Sequence, residues 1–273
     1  MAPRKTRVEK KSDPLKALKN RVFVSSLEVQ NPLGKRKGKF NVKLIGLGRH
    51  GTGWIPLGLR TRRIVKGELA GENGLILAEQ KSRNFVPGKF RKKATGLEKE
   101  FNPVISFLYG QIPIHRLMAL VAKERAGASL NYLKELAVKV QKVEGLAPKI
   151  PGKSEMLRDK DMQKIARILK VSPEQLYNGF RLLSTGRSLL LASQTLKELG
   201  YSKKGTETAS VVVGAGHMEE MQKFLSNPRR ALRTTRTIIS VLGEINGTGE
   251  IRWALHNAEW AFGEQLKAQE KSG

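Results

Sequence analysis

Three short apolar runs bounded by glycine constrain this chain more than anything else in it: NVKLIGLG at 41–48, GLILAEQ at 74–80, and ASVVV at 209–213. Each is too short for a buried helix and too evenly apolar for a strand with one wet face. Each therefore reads as a strand covered on both sides. Between the first two, LRTRRIVKGELAG carries a helical pattern, so strand, helix and strand follow one another within residues 41–80. That is a βαβ unit, a parallel pair joined by a crossover helix. The expected fold class is α/β, with a mixed or mostly parallel sheet and flanking helices.

Helical spacing dominates the rest. Leu117, Leu120, Val121, Leu130, Leu133 and Leu136 predict a long helical insertion from Pro113 to Lys142, broken by GLAPKIPGKSE. KDMQKIARILK is a short helix. Ser172 then offers an N-cap with Pro173 at the first helical position, and Gly200 closes that region, with Gly179 and Gly186 as points that could divide it. After the third strand comes a Gly-Ala-Gly-His turn and a helix, MEEMQKFL, stopped near Asn227-Pro228. PRRALRTTRTIISVLGE and the amphipathic GEIRWALHNAEWAFGEQLKAQ complete the chain. The expected organisation is a basic arm (1–40), an α/β domain (41–226) and a basic helical C-terminal extension (227–273).

Charge separates the functional classes. Fifty-one Lys and Arg against 24 Asp and Glu give a formal +27. Such an excess attracts polyanions, nucleic acid first and an anionic membrane second. The absence of cysteine excludes disulfides, thiolate metal sites and cysteine nucleophiles. No run approaches the roughly 18 apolar residues of a membrane helix, so integral membrane insertion is not expected. The N-terminal segment lacks the apolar core of a secretory signal, and Glu9, Asp13 and its lysine bias suit a transit peptide poorly.

The cations fall in three elements. The arm holds twelve Lys or Arg and three acids, with Arg4, Lys5, Arg7, Lys35, Arg36, Lys37 and Lys39 as candidate phosphate contacts. The loop KSRNFVPGKFRKK adds Lys81, Arg83, Lys89, Arg91, Lys92 and Lys93 without one acid. Arg229, Arg233 and Arg236 share a helical face beside Arg230, with no acid between Glu220 and Glu244. Guanidinium groups in such a row suit successive phosphates. With 6% aromatic residues and no aromatic platform of the RNA-recognition type, binding by charge and shape is expected rather than base reading.

The stretch SVVVGAGHMEEM places His217 where a strand ends and a helix begins, the edge of an open α/β sheet at which ligands bind. The same residues also describe a packing turn whose glycines let the helix approach the sheet. VVVGAGH resembles the second histidine motif of the TraB/PrgY and Tiki superfamily. VKLIGLGRH is similar to its first strand motif, LILAEQ to the strand bearing its acid, and GRSLLLASQTLKEL to its arginine-bearing helix. The resemblance spans about residues 42–226 and implies a divalent metal held for hydrolysis by His50, Glu79 and His217, with Arg187 holding an oxyanion or phosphate. Glu79 and Arg187 would then be the catalytic pair. The register departs from the family: its histidine stands three residues after the glycine, whereas His50 stands four after Gly46, and ungapped alignment puts Arg49 there. A guanidinium cannot ligate a metal.

GRHGTGW also resembles the Arg-His-Gly motif of histidine phosphatases, in which the histidine is the nucleophile. Methionine follows His217 where that family has glycine. His115 and His256 read as structural.

The expected function is that of a non-catalytic, RNA-contacting component of a large ribonucleoprotein, a ribosome and an organellar (mitochondrial) one foremost, on a repurposed hydrolase fold. Its partners would be structured RNA, ribosomal RNA foremost, and neighbouring proteins. No cofactor is expected in this role. The alternative is the metal-dependent hydrolase or peptidase. The compartment expected with the first reading is the mitochondrial matrix, otherwise the cytoplasm.

Overall fold

The computed structural model of the chain describes residues 21–48, 58–70, 74–80, 85–97, 134–135, 137–139, 160–203, 206–244 and 249–272. Five strands, β1 (Val22–Asn31), β2 (Gly38–Leu47), β3 (Leu75–Ala78), β4 (Thr95–Gly96) and β5 (Thr208–Gly214), form one sheet in the order β1-β2-β5-β3-β4. Only β1 and β2 pair antiparallel. Helices flank this mixed, mostly parallel sheet, as an α/β fold requires.

Alternation along the buried strands builds both faces. Phe40, Val42 and Leu44 of β2, Leu77 of β3, and Val211 and Val213 of β5 turn toward one core. Ile45 and Leu47, Ile76 and Ala78, and Val212 turn toward the other. The second core is covered by α1 (Leu59–Glu68) and α2 (Gly88–Arg91), through Val65, Leu69, Phe85, Val86 and Ala94. The first is covered by α3 (Lys160–Leu169), α4 (Pro173–Gly200), α5 (Ala215–Ser226), α6 (Pro228–Gly243) and α7 (Gly249–Ser272).

The strand, helix and strand at 38–78 occur as read, but β2 and β3 are not neighbours, because β5 lies between them. Burial explains the placement. β5 is exposed only at Thr208, the most evenly covered of the strands, and the centre of the sheet is where such a strand is stable.

The boundary of the basic arm also moves. Residues 22–31 form the edge strand, in register from Val22 opposite Leu47 to Asn31 opposite Gly38, so the sheet starts well before position 40. The C-terminal helices are no appendage either. Ala231, Ile238 and Leu242 of α6 and Leu255, Ala258 and Phe262 of α7 share one core with the sheet. The predicted insertion at 113–142 lies outside the described residues, apart from helical positions 134–135 and 137–139.

Helix α4 is the axis of the assembly. Ser172 accepts from the Gln175 amide at 3.1 Å and its own amide donates to Gln175 Oε1 at 2.6 Å, a complete capping box ahead of Pro173. Neither Gly179 nor Gly186 divides the helix, which is buried on nearly every side from Arg181 to Leu196. At its far end the β1–β2 hairpin closes over the last carbonyls. Asn31 Nδ2 donates to Leu196 O at 2.6 Å, and the Arg36 amide donates to Gly200 O at 2.7 Å.

Candidate functional site

The parallel strands end along one edge, and the buried polar side chains Glu79, Arg181, Thr185, Arg187, Ser188 and Glu220 gather there. Alternation on β3 turns Glu79, one residue past Ala78, toward α4. It is 1% exposed, and a bare carboxylate there would be prohibitively costly. One of its oxygens accepts from the Arg187 guanidinium of α4, and the other accepts from the Gly214 amide at 2.7 Å. Gly214 is the N-cap of α5. The amide at this helix entry, which the sequence offers to an external anion, is thus occupied by the chain's own carboxylate.

His217 is the third residue of α5, so the strand runs straight into the helix without a separate turn. Gly46 is the glycine that permits this. A Cβ on it would stand 2.6 Å from Met218 Sδ and 3.3 Å from Ala215 Cα, so the first turn of α5 rests directly on β2. Gly216 is exposed and has nothing near its missing Cβ. The packing role lies with the first-strand glycine rather than with the Gly-Ala-Gly itself.

Three residues of α4 at helical spacing, Arg181, Thr185 and Ser188, face His217 and Glu220 of α5. Glu220 accepts from Thr185 Oγ1 at 2.9 Å, from Ser188 Oγ at 2.7 Å and from Arg181 Nη2 at 3.4 Å. Ser188 Oγ also lies 2.9 Å from His217 Nδ1. A hydroxyl has one proton, and an ionised carboxylate can only accept. Ser188 Oγ also reaches the Ser184 carbonyl at 3.1 Å but gives its proton to the nearer Glu220. With the proton on either acceptor, His217 donates from Nδ1 to Ser188. The relay runs from His217 through Ser188 to Glu220 and fixes the neutral imidazole as the Nδ1–H tautomer, with the lone pair on Nε2.

Ser188, Glu220, Thr185 and Arg181 were not among the candidates read from sequence. The His-x-x-Glu spacing of His217 and Glu220 was the available signal, since residues three apart share a helix face. Glu79 and Arg187, both named from sequence, do meet, but as partners of each other. His50 and Arg49 lie outside the described residues.

A divalent metal is the cofactor that the TraB/Tiki resemblance implies. Of its three ligands, Glu79 is held by a guanidinium, whose charge opposes a cation at that oxygen. His217 is the one implied histidine ligand among the described residues, and its Nδ1 is engaged by Ser188. Among the described residues no three His, Cys, Asp or Glu come close enough to hold an ion. The described residues supply no complete metal site and support no step routed through one.

The cationic candidates divide. Arg4, Lys5, Arg7, Lys81 and Arg83 lie outside the described residues. Lys35 and Lys37 are exposed at the C-terminal end of α4, where the helix dipole favours cations. Arg36 lies 5.9 Å over the Phe40 ring, and Lys39 pairs with Glu28 at 2.9 Å. The arginine face of α6 is partly answered from within the chain, since Arg229 pairs with Glu270 at 3.0 Å and Arg236 with Glu259 at 2.6 Å, both on α7. The Arg236 hydrogen bond holds the Glu259 carboxyl below the usual carboxylate range. Arg230 and Arg233 are exposed beside them.

Lys89, Arg91, Lys92 and Lys93 lie in and just after α2 and join a set that sequence reading passed over. Arg60, Arg62, Arg63 and Lys66 ring the outer side of α1, whose Thr61, Val65 and Leu69 face inward. The two helices adjoin, for a Cβ on Gly88 would lie 3.8 Å from Arg62 Nη2. Across residues 58–70 and 85–97 these eight cations face a single acid, Glu68, and Lys43 lies 3.8 Å from it. No described helix is long and apolar enough to cross a membrane.

Comparison of the chain with known protein families, with characterised proteins and with solved structures finds no match.

Proposed function

We propose that the chain is a non-catalytic, RNA-contacting component of a large ribonucleoprotein such as a ribosome, and that it meets structured RNA through the α1–α2 layer. The observation that carries this reading is the one-sidedness of the described residues of that layer, eight cations against one acid that Lys43 already answers. Placement adds to it. Arg60 and Arg62 stand in the first turn of α1, which holds no acid. Cations at the positive end of a helix dipole cost stability rather than add to it. Lys66, Lys89 and Arg91 stand in last helical turns, where the dipole favours cations, and Lys89 lies 4.7 Å over the Phe90 ring. Arg60 and Arg62 have no such support, and phosphates held by guanidinium and ammonium groups would supply the counter-charge.

Sedimentation of the tagged full-length protein from native lysate tests the reading. Co-migration with a large particle, lost after RNase or in high salt, is the expected result. Migration as a small species under every condition would contradict it.

A metal-dependent hydrolase or peptidase is the second reading, favoured by the His217–Ser188–Glu220 relay, which fixes an imidazole at the edge where α/β sheets bind ligands. Stoichiometric metal in the purified protein, lost on His217→Ala, would move the conclusion to it.

A further inference from the structure

Two of the chain's three tryptophans, Trp253 and Trp260, stand exposed on α7, at 70% and 56% of their surface. This is not for want of a core face. Ile251, Leu255, Ala258, Phe262 and Gln265 of the same helix are buried, so the indoles belong to a second face. Seven residues apart, they lie two turns apart on one side of the helix, about 10 Å along its axis.

The ridge between them is tied to α6. His256 sits between the indoles, and its Nδ1 lies 3.4 Å from Glu259, which also accepts from Arg236 at 2.6 Å. Arg233 is one turn earlier on α6, and no acid occurs in residues 228–243. Exposed aromatic rings with a guanidinium held at the same ridge, as Arg236 is through Glu259, suit single-stranded nucleic acid, because a ring offers a face to any base and a cation meets the neighbouring phosphate.

We infer that the α6–α7 hairpin is a stacking platform for an unpaired stretch of RNA, with Trp253 and Trp260 each taking one base and Arg233 and Arg236 the adjoining phosphates. The spacing exceeds the roughly 3.4 Å between stacked neighbours, so the strand runs extended between the two captured bases. The inference rests on the reading of RNA as partner but uses a different surface: α1–α2 meets phosphates of structured RNA, and α6–α7 meets bases.

The test titrates the full-length protein with a twelve-nucleotide oligouridylate and with an RNA duplex of equal length, following tryptophan emission and affinity. Oligouridylate is expected to quench the emission. Trp253→Ala and Trp260→Ala should each weaken single-strand binding about 5- to 150-fold while leaving duplex binding unchanged, and Trp260→Phe should retain most of the affinity. Unchanged single-strand affinity in both alanine variants would overturn the platform. So would emission that responds instead to vesicles rich in phosphatidylserine, or to protein concentration without RNA, with either response lost in the variants; those results assign the ridge to a membrane or to a second copy of the chain. The two proposals fail separately. Reversing charges on α1 should weaken duplex binding and leave oligouridylate quenching in place.

Discussion

Gly200, the last residue of α4, and Gly34, in the β1–β2 hairpin, meet backbone to backbone. A Cβ on Gly200 would stand 2.2 Å from the Leu33 carbonyl oxygen, and one on Gly34 would stand 2.6 Å from the Gly200 carbonyl carbon. Gly34 also has φ +66, a conformation that side chains resist. This contact clamps the antiparallel edge of the sheet onto the central helix. Gly200→Ala should cost about 1–3 kcal/mol, because backbone cannot step aside as a side chain can. Chemical denaturation measures it, and Gly67→Ala, where a Cβ meets open space, is the control that should not destabilise.

The Glu79–Arg187 pair is buried on both sides, at 1% and 9% exposure. Breaking one partner leaves the other as an uncompensated charge. Glu79→Gln should therefore destabilise by about 3–5 kcal/mol. Replacing both, as Glu79→Gln with Arg187→Met, should recover part of the loss, and a double-mutant cycle reads the coupling. Additive losses would show that the two groups do not depend on each other.

Because Ser188 gives its proton to Glu220, His217 should be the Nδ1–H tautomer when neutral. Nitrogen-15 chemical shifts of the imidazole report this directly. In Ser188→Ala the preference should disappear, with a stability loss of about 1–3 kcal/mol from the acceptor left unsatisfied on Glu220. An Nε2–H tautomer in the unmodified protein would contradict the relay.

The clasp between α6 and α7 should be acid-sensitive. The Glu259 carboxyl titrates below its ordinary value, chiefly through the Arg236 hydrogen bond, so its folded pKa is depressed. Its contribution is complete above the unfolded carboxylate pKa of about 4.3 and is lost as pH falls through the lower folded value. Exposed pairs of this kind are worth about 0.2–1 kcal/mol. Arg236→Ala should flatten the acid limb of the stability profile by that much, and less at high salt.

How far the sequence disclosed all this depends on the range of each interaction. Short-range signals carried through: the Ser172-Pro173 cap, the stop at Asn227-Pro228 and the apolar strands of β2 and β5 depend on neighbours within a few residues. β1 was hidden because lysines and arginines dominate the composition of residues 1–40, while the strand within it needs only Leu27 and Val29 to face the core. The insertion of β5 between β2 and β3 joins segments more than 130 residues apart, which no local pattern encodes. Charge was legible as a total, but not in its bookkeeping. That α7 would answer Arg229 and Arg236 follows only from packing. The sheet edge was found through His217, but Ser188 comes to it from another helix, 29 residues away in sequence.

The most direct test of the α1–α2 layer is the salt dependence of binding to a structured RNA between 50 and 200 mM monovalent salt, for the full-length protein and for the triple variant Arg60→Ala, Arg62→Ala, Arg63→Ala. Each phosphate contact contributes roughly 0.7–0.9 to the slope of log affinity against log salt. The account predicts a slope shallower by about 2–3 in the variant, with affinity falling most at low salt. An unchanged slope and affinity would contradict it and remove RNA contact from this face.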